Sequence, residues 1–135
     1  MTTLVIDTSA VIATLFGEAS APALIDQLDQ ADELLISAAT VVEVGIVLEA
    51  RLGPVGASVA ERFIRDAAID VISFDRSQAD RAMDGWRRFG KGRHSAALNL
   101  GDCFTYALAS TTGHPVLCVG DDFPATDLDT VALGP

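Results

Sequence analysis

The sequence predicts an α/β domain: a central, mostly parallel sheet of four to five short strands flanked by helices. Three observations carry this reading. Short apolar runs at 4–6, 34–36, 70–74 and 116–119 alternate with longer segments of helical periodicity. Such alternation implies parallel strands joined by crossover helices. The chain has 135 residues, half of them hydrophobic, which suits one domain over 1–135 with a core large enough to need neither disulfide nor structural metal. Linkers, repeats and low-complexity segments are absent from the sequence, so a second unit is not expected.

The elements follow in order. The run at 4–6 is a buried strand, and helices follow over 10–15 and 21–30. The second strand covers 34–36, after which Ser37 or Thr40 caps a helix reaching about Arg51. Gly53-Pro54 ends that helix, and Pro54 starts the next, to about Ala68. A third strand covers 70–74. The helix over 77–89 places Ala79, Ala82, Met83 and Trp86 on one apolar face. Gly90-Lys91-Gly92 breaks it. The helix over 102–110 stops at Gly113-His114-Pro115, the fourth strand covers 116–119, and 131–133 is a candidate fifth strand.

Charge narrows the function. The net charge is −10, opposite to that of a simple nucleic-acid binder. An enzyme that meets nucleic acid through a local basic patch and a metal remains compatible with it. Arg81, Arg87, Arg88, Lys91 and Arg93 supply five of the nine Lys and Arg, and none follows Arg93. This stretch is either a solvated helix end or a phosphate-contacting rim. Cys103 and Cys118 lie in apolar runs without metal-ligand spacing and are expected to be small buried hydrophobes. The N-terminus has no basic segment ahead of its apolar run, and no stretch reaches membrane-spanning length, so a cytoplasmic protein without membrane contact is expected.

The acidic residues carry the chemistry. Asp7 ends the first strand, Glu43 lies within Thr40-Val41-Val42-Glu43-Val44, Asp102 opens a helix, and Asp121-Asp122 follow the fourth strand. Each acid has a simpler structural role available: Asp7 as a helix cap, Asp102 as a first-turn acid, Asp121 or Asp122 as a turn former. Glu43 is the hardest to explain that way, because its neighbours are apolar and it has no basic partner in sequence. Open α/β sheets place their sites beyond the carboxyl ends of the strands. Carboxylates gathered there without Lys or Arg suit a hard cation, Mg²⁺ or Mn²⁺, rather than zinc. Asp7 and Asp102 are then the primary ligands. Glu43 acts through water or orients the nucleophile, the 121–122 pair completes the cage, and Thr8 or Ser9 hydrogen-bonds a carboxylate or a metal-bound water.

Asp7-Thr8-Ser9-Ala10 after the first strand, Val42-Glu43 in a helix, Gly101-Asp102-Cys103 before Tyr106-Ala107-Leu108-Ala109, and Gly120-Asp121-Asp122-Phe123 resemble a PIN domain over nearly the whole chain. More narrowly, Leu98-Asn99-Leu100-Gly101-Asp102-Cys103 and Asp122-Phe123 followed by Thr126-Asp127-Leu128 resemble the VapC-type toxins of bacterial toxin–antitoxin pairs. The resemblance implies a Mg²⁺- or Mn²⁺-dependent endoribonuclease acting on structured RNA, tRNA or rRNA. It implies a homodimer inhibited by a small VapB-type antitoxin. Its catalytic acids fall on Asp7, Glu43, Asp102 and one of the C-terminal pair. The family keeps an acid three residues before the Phe. Here that position is Gly120, and Asp121 is preferred over Asp122.

Other classes fit less well. A receiver-type signalling domain needs a Lys after a late strand, and none follows Lys91. A phosphatase of the haloacid dehalogenase type needs Asp-x-Asp near the start, where this chain has Asp7-Thr8-Ser9. A non-catalytic PIN-like module would have no use for the retained acids.

Overall fold

The computed structural model describes residues 1–133; positions 134 and 135 of the expected domain lie outside the described residues. The elements run β1 (Thr3–Ile6), α1 (Thr8–Leu15), α2 (Ala21–Gln30), β2 (Glu33–Ser37), α3 (Ala38–Leu52), α4 (Gly56–Asp66), β3 (Asp70–Ile72), α5 (Arg76–Phe89), α6 (Leu100–Thr112) and β4 (Val116–Leu117), then a 3₁₀ turn at Phe123–Ala125. The strands form one sheet in the order β3-β2-β1-β4, and every pairing is parallel.

The side-chain alternation of β1 and β2 builds two cores. Leu4, Ile6, Leu34 and Ile36 point to one face and pack with Val11, Leu24, Val44 and Leu48 from α1 to α3 and Ala60 from α4. Val5 and Leu35 point to the other face and pack with Ala82 and Phe89 of α5 and Tyr106 and Leu108 of α6. A strand with period two and helices on both faces requires this continuous burial. β1 lies between β2 and β4, and Asp7 follows its last residue.

Local signals set the ends. Asp7, Ser37, Asp75 and Asn99 cap α1, α3, α5 and α6, each accepting a backbone N–H from the first turn. Gly113 closes α6 at a φ of 74°, a left-handed conformation that glycine adopts without a Cβ penalty.

The structure departs from the sequence reading at several points. α6 begins at Leu100, ahead of Asp102, because Asn99 is the cap. Pro54 does not open α4, which starts at Gly56. β3 and β4 are shorter than the apolar runs suggested. The candidate fifth strand at 131–133 is not a strand: Thr130 makes a single parallel bridge to Val116, and Val131 donates to the Val116 carbonyl at 3.0 Å. The buried face of α5 is Gln78, Ala82, Gly85 and Phe89, not the expected Ala79, Ala82, Met83 and Trp86.

The reason for that rotation is Tyr106. Its ring lies against Gly85, where an added Cβ would stand 2.5 Å from the Tyr106 Cδ1 and 2.9 Å from Cγ. Only a residue without a side chain lets α5 and α6 approach here. Gly85→Ala is therefore expected to destabilise the fold by about 1–3 kcal/mol, the usual cost of overpacking, despite the better helix propensity of Ala. Urea denaturation measures this; an unchanged or raised midpoint would contradict the close approach.

Candidate active site

The carboxyl ends of β1, β2 and β4 lead into the segments that carry the acids. Asp7 directly follows β1 and is 3% exposed. Both of its oxygens are held by neutral donors. The Ser9 backbone N–H and hydroxyl donate to Oδ2 at 3.0 and 2.7 Å, and the Thr105 hydroxyl donates to Oδ1 at 2.7 Å. Ser9 Oγ also accepts the Val119 N–H at 3.0 Å, which ties this end of the sheet to the segment after β4.

Glu43 lies in the second turn of α3 and is half-buried, as its apolar neighbours implied. The Thr8 hydroxyl donates to its Oε1. Gly101 faces the carboxylate so closely that any Cβ there would overlap it. The Gly101-Asp102 pair thus has a steric role: the glycine admits Glu43, and the next residue brings a second acid. Asp102 sits in a reciprocal capping box, donating its N–H to Asn99 Oδ1 at 2.9 Å and accepting the Asn99 N–H on Oδ2 at 3.1 Å.

Electrostatics link the acids. Burial raises the Asp102 carboxyl to about 7; the Asn99 N–H opposes this, while the charges of Asp7, Asp122 and Glu43 add to it. Burial also raises Glu43, with the Thr8 hydroxyl opposing and the Asp7 charge adding. The member of the C-terminal pair whose charge reaches Asp102 is Asp122, which also acts on Cys118; both members are exposed, and Asp121 contributes to neither. The loop turns at Gly120 with a φ of 103°, where a side chain would be strained. An acid three residues before Phe123 is disfavoured in this turn.

The donor set fits a hard divalent cation. All the candidate ligands are carboxylate oxygens, and the two nearby thiols stay protonated, Cys118 raised to about 12 and Cys103 to about 11, chiefly by burial. Both cysteines are buried and free, as expected. The two ion pairs among the described residues, Arg87–Asp84 and Arg88–Asp127, involve none of these acids. Three of the four acceptor sites of Asp7 are taken, leaving one on Oδ1; Glu43 Oε2 and Asp102 Oδ1 accept no hydrogen bond among the described residues. No three acidic, His or Cys side chains among them stand close enough to form a ready-made cage. Carboxylate oxygens without thiolate or imidazole partners suit a hard ion such as Mg²⁺.

Beside the site, a groove of about 560 Å³ lies between α5 and the start of α6, lined by Phe74, Met83, Trp86, Lys91, Leu100 and Phe104 among others. The larger groove, about 640 Å³, lies between α1–α2 and α4. None of the candidate acids lines either. The basic stretch makes local contacts: Arg88 reaches Asp127 and the Tyr106 hydroxyl at 3.3 Å, and Arg93 stacks 4.8 Å above the Trp86 ring. The sequence reading missed Thr105, Asn99 and the steric role of Gly101. A lone Thr one turn beyond Asp102 in an apolar helix was the available signal.

The raised carboxyls fix a pH dependence. In the window between the unfolded value of 3.8 and about 7, the folded state of Asp102 binds the extra proton. Stability from this source is complete below that window and is lost as pH rises through about 7. Metal-free protein should therefore melt at a lower temperature above this window than within it, and Asp102→Asn should flatten the slope. A pH series of thermal melts in EDTA tests this; a rise in melting temperature across the window, or an unaltered slope in the variant, would contradict it.

Comparison with known proteins places this geometry. Residues 4–128 match the PIN domain family. The chain is 44% identical over 131 residues to a protein named Ribonuclease VapC30 from Mycobacterium tuberculosis, covering 96% of this chain and 99% of the relative. In solved structures, the fold matches Mycobacterium tuberculosis VapC20, described as a Sarcin-Ricin loop cleaving toxin, with a TM-score of 0.78 at 18% identity, over 95% of this chain and 98% of that one. It also matches the DNA-bound VapBC structure from Salmonella typhimurium, with a TM-score of 0.71 at 20% identity over 98% of both chains. The receiver and haloacid dehalogenase readings fall with these matches. The chain belongs to the PIN domain family, on the branch of the VapC ribonucleases.

Proposed function

We propose that the chain is the endoribonuclease toxin of a type II toxin–antitoxin pair, and that it hydrolyses phosphodiester bonds of structured RNA, tRNA or rRNA, with Mg²⁺ or Mn²⁺. The carrying observation is the set of mutually repelling carboxylates at the carboxyl end of the sheet, with neutral donors and no paired Lys or Arg among the described residues. Asp7 and Asp102 would hold the ion, with Glu43 and Asp122 as the remaining acids of the set. Of the C-terminal pair we prefer Asp122 to the Asp121 expected from sequence, because its charge acts on Asp102. A divalent ion bound here supplies an activated water and offsets charge developing on the phosphodiester. Thr8 orients the Glu43 carboxylate, whose raised proton affinity suits it to take a proton from the attacking water. Ser9 and Thr105 keep Asp7 fixed while charge changes around it. The basic stretch after α5 offers phosphate contacts that the strongly negative chain otherwise lacks.

The partners follow from the surface. An acidic chain suits a basic segment of a VapB-type antitoxin. Val42 and Ile46 on α3 and Leu100 on α6 are 61%, 65% and 74% exposed, and Val42 and Leu100 each precede a member of the Glu43–Gly101 contact. Such apolar exposure beside a functional site suits a homodimer. No described helix is long and apolar enough to cross a membrane. The site of action proposed is the cytoplasm.

Two outcomes are expected. Asp102→Asn keeps the fold and lowers RNA cleavage by at least ~100-fold, since bound metals contribute several kcal/mol to the transition state; EDTA abolishes wild-type cleavage. Near-normal cleavage by the folded variant, or activity in EDTA, would refute the metal assignment. Light scattering at micromolar concentration gives twice the chain mass for wild type and the single-chain mass for Ile46→Glu. A wild type that is monomeric there would remove the dimer.

A further inference from the structure

We infer that Thr105 is a positioning residue for this site: its buried hydroxyl aims the one Asp7 oxygen that remains open to a cation. The inference rests on the metal-dependent reading above and concerns a residue that the acid pattern does not include. Thr105 is 1% exposed, and its hydroxyl donates to Asp7 Oδ1 at 2.7 Å across 98 residues of sequence.

The choice of partner is the telling point. A threonine inside a helix ordinarily returns its hydroxyl to a carbonyl of the preceding turn. Thr14, Thr111 and Thr112 do this, donating to the carbonyls of Ala10, Ala107 and Leu108 at 2.8–2.9 Å. Thr105 instead donates out of its helix to the carboxylate that ends β1.

Two consequences follow. The Ser9 N–H and hydroxyl occupy Oδ2, so Thr105 decides the direction of the lone pair left on Oδ1. Thr105 also lies one helical turn beyond Asp102, so both side chains leave α6 on the same side. The bond therefore clamps the helix that carries Asp102 to the strand end that carries Asp7, and sets the distance between the two carboxylates. Partners that orient a metal ligand in this way typically change metal affinity by about 10–100-fold when removed.

The test is Mn²⁺ titration by calorimetry on the full chain, with RNA cleavage measured alongside. Thr105→Val keeps the shape and removes the hydroxyl; it should weaken Mn²⁺ binding by about 10–100-fold. Its cleavage should recover as Mn²⁺ is raised, because the acids are intact. Thr105→Ser should restore most of the affinity. If Thr105→Val does not fold, Thr105→Cys, a weak donor of similar size, should show the same loss. A folded Val or Cys variant with wild-type affinity would overturn the inference. So would a Ser variant as weak as Val, since packing of the methyl group would then be what matters. Wild type and Asp7→Asn binding Mn²⁺ equally, or not at all, would be a separate result: the metal-dependent reading itself would fall, and the role of Thr105 with it.

Discussion

The structure depends on a buried carboxylate whose hydrogen bonds all come from neutral donors. Asp7 is placed where β1, an interior strand of the sheet, ends, and it is almost fully buried. A carboxylate in that position must protonate, pair with a cation, or be wrapped in hydrogen bonds. Here Ser9 and Thr105 wrap it. The same bonds join four parts of the chain: the end of β1, the start of α1, the middle of α6, and the segment after β4 reached through the Ser9–Val119 bond. An arginine would satisfy Asp7 more strongly, but under the proposed reading it would take the place that a cation needs.

The remaining acids are tolerated through structural duties that coincide with the chemistry. Asp7 caps α1, and Asp102 completes a capping box at the start of α6. Both sit at helix N-termini, where the unpaired N–H groups and the dipole favour an anion. Glu43 has no such support. It relies on Thr8 and on the missing side chain at Gly101, and burial raises its carboxyl. The helix caps fix two carboxylates in place, although burial still raises Asp102, and the third is admitted sterically. These constraints explain why a Gly-Asp pair, rather than an aspartate alone, faces α3.

The sequence made much of this legible, for physical reasons. Leu4, Val5 and Ile6 form a fully apolar run because β1 is covered on both faces, and such a strand reads clearly. Glu43 stood out because no surface role accounts for a carboxylate among valines. What stayed hidden depends on three-dimensional approach. The burial of Gly85 in place of Met83 on α5 is decided by the Tyr106 ring of another helix, which no periodicity in α5 records. Which of Asp121 and Asp122 acts on Asp102 depends on how the loop after β4 folds, and there the charge of Asp122 reaches it. Thr105 looked like one polar interruption in an apolar helix. Its importance comes from a partner 98 residues away.

The proton and the cation compete for the same oxygens. Asp102, raised to about 7 by burial and by its acidic neighbours, is part-protonated near neutral pH when nothing offsets those charges. Under the proposed metal-dependent reading, a divalent cation would have to displace that proton, so its affinity would rise with pH over the range in which the metal-free fold weakens. The two dependences have one origin. Burial first, and then the neighbouring charges, disfavours the ionised acids, and a better-satisfied set would give a more stable protein with less room for a cation. Exposed arginines nearby do not resolve this conflict. Arg88 and Arg93 spend their charge on Asp127 and on the Trp86 ring, and such exposed contacts are worth little. They leave the acids unpaired while remaining free to exchange their local partners for phosphates. A chain of net charge −10 would therefore, under the proposed reading, keep an unneutralised anionic site while offering cations for RNA phosphates from the end of α5.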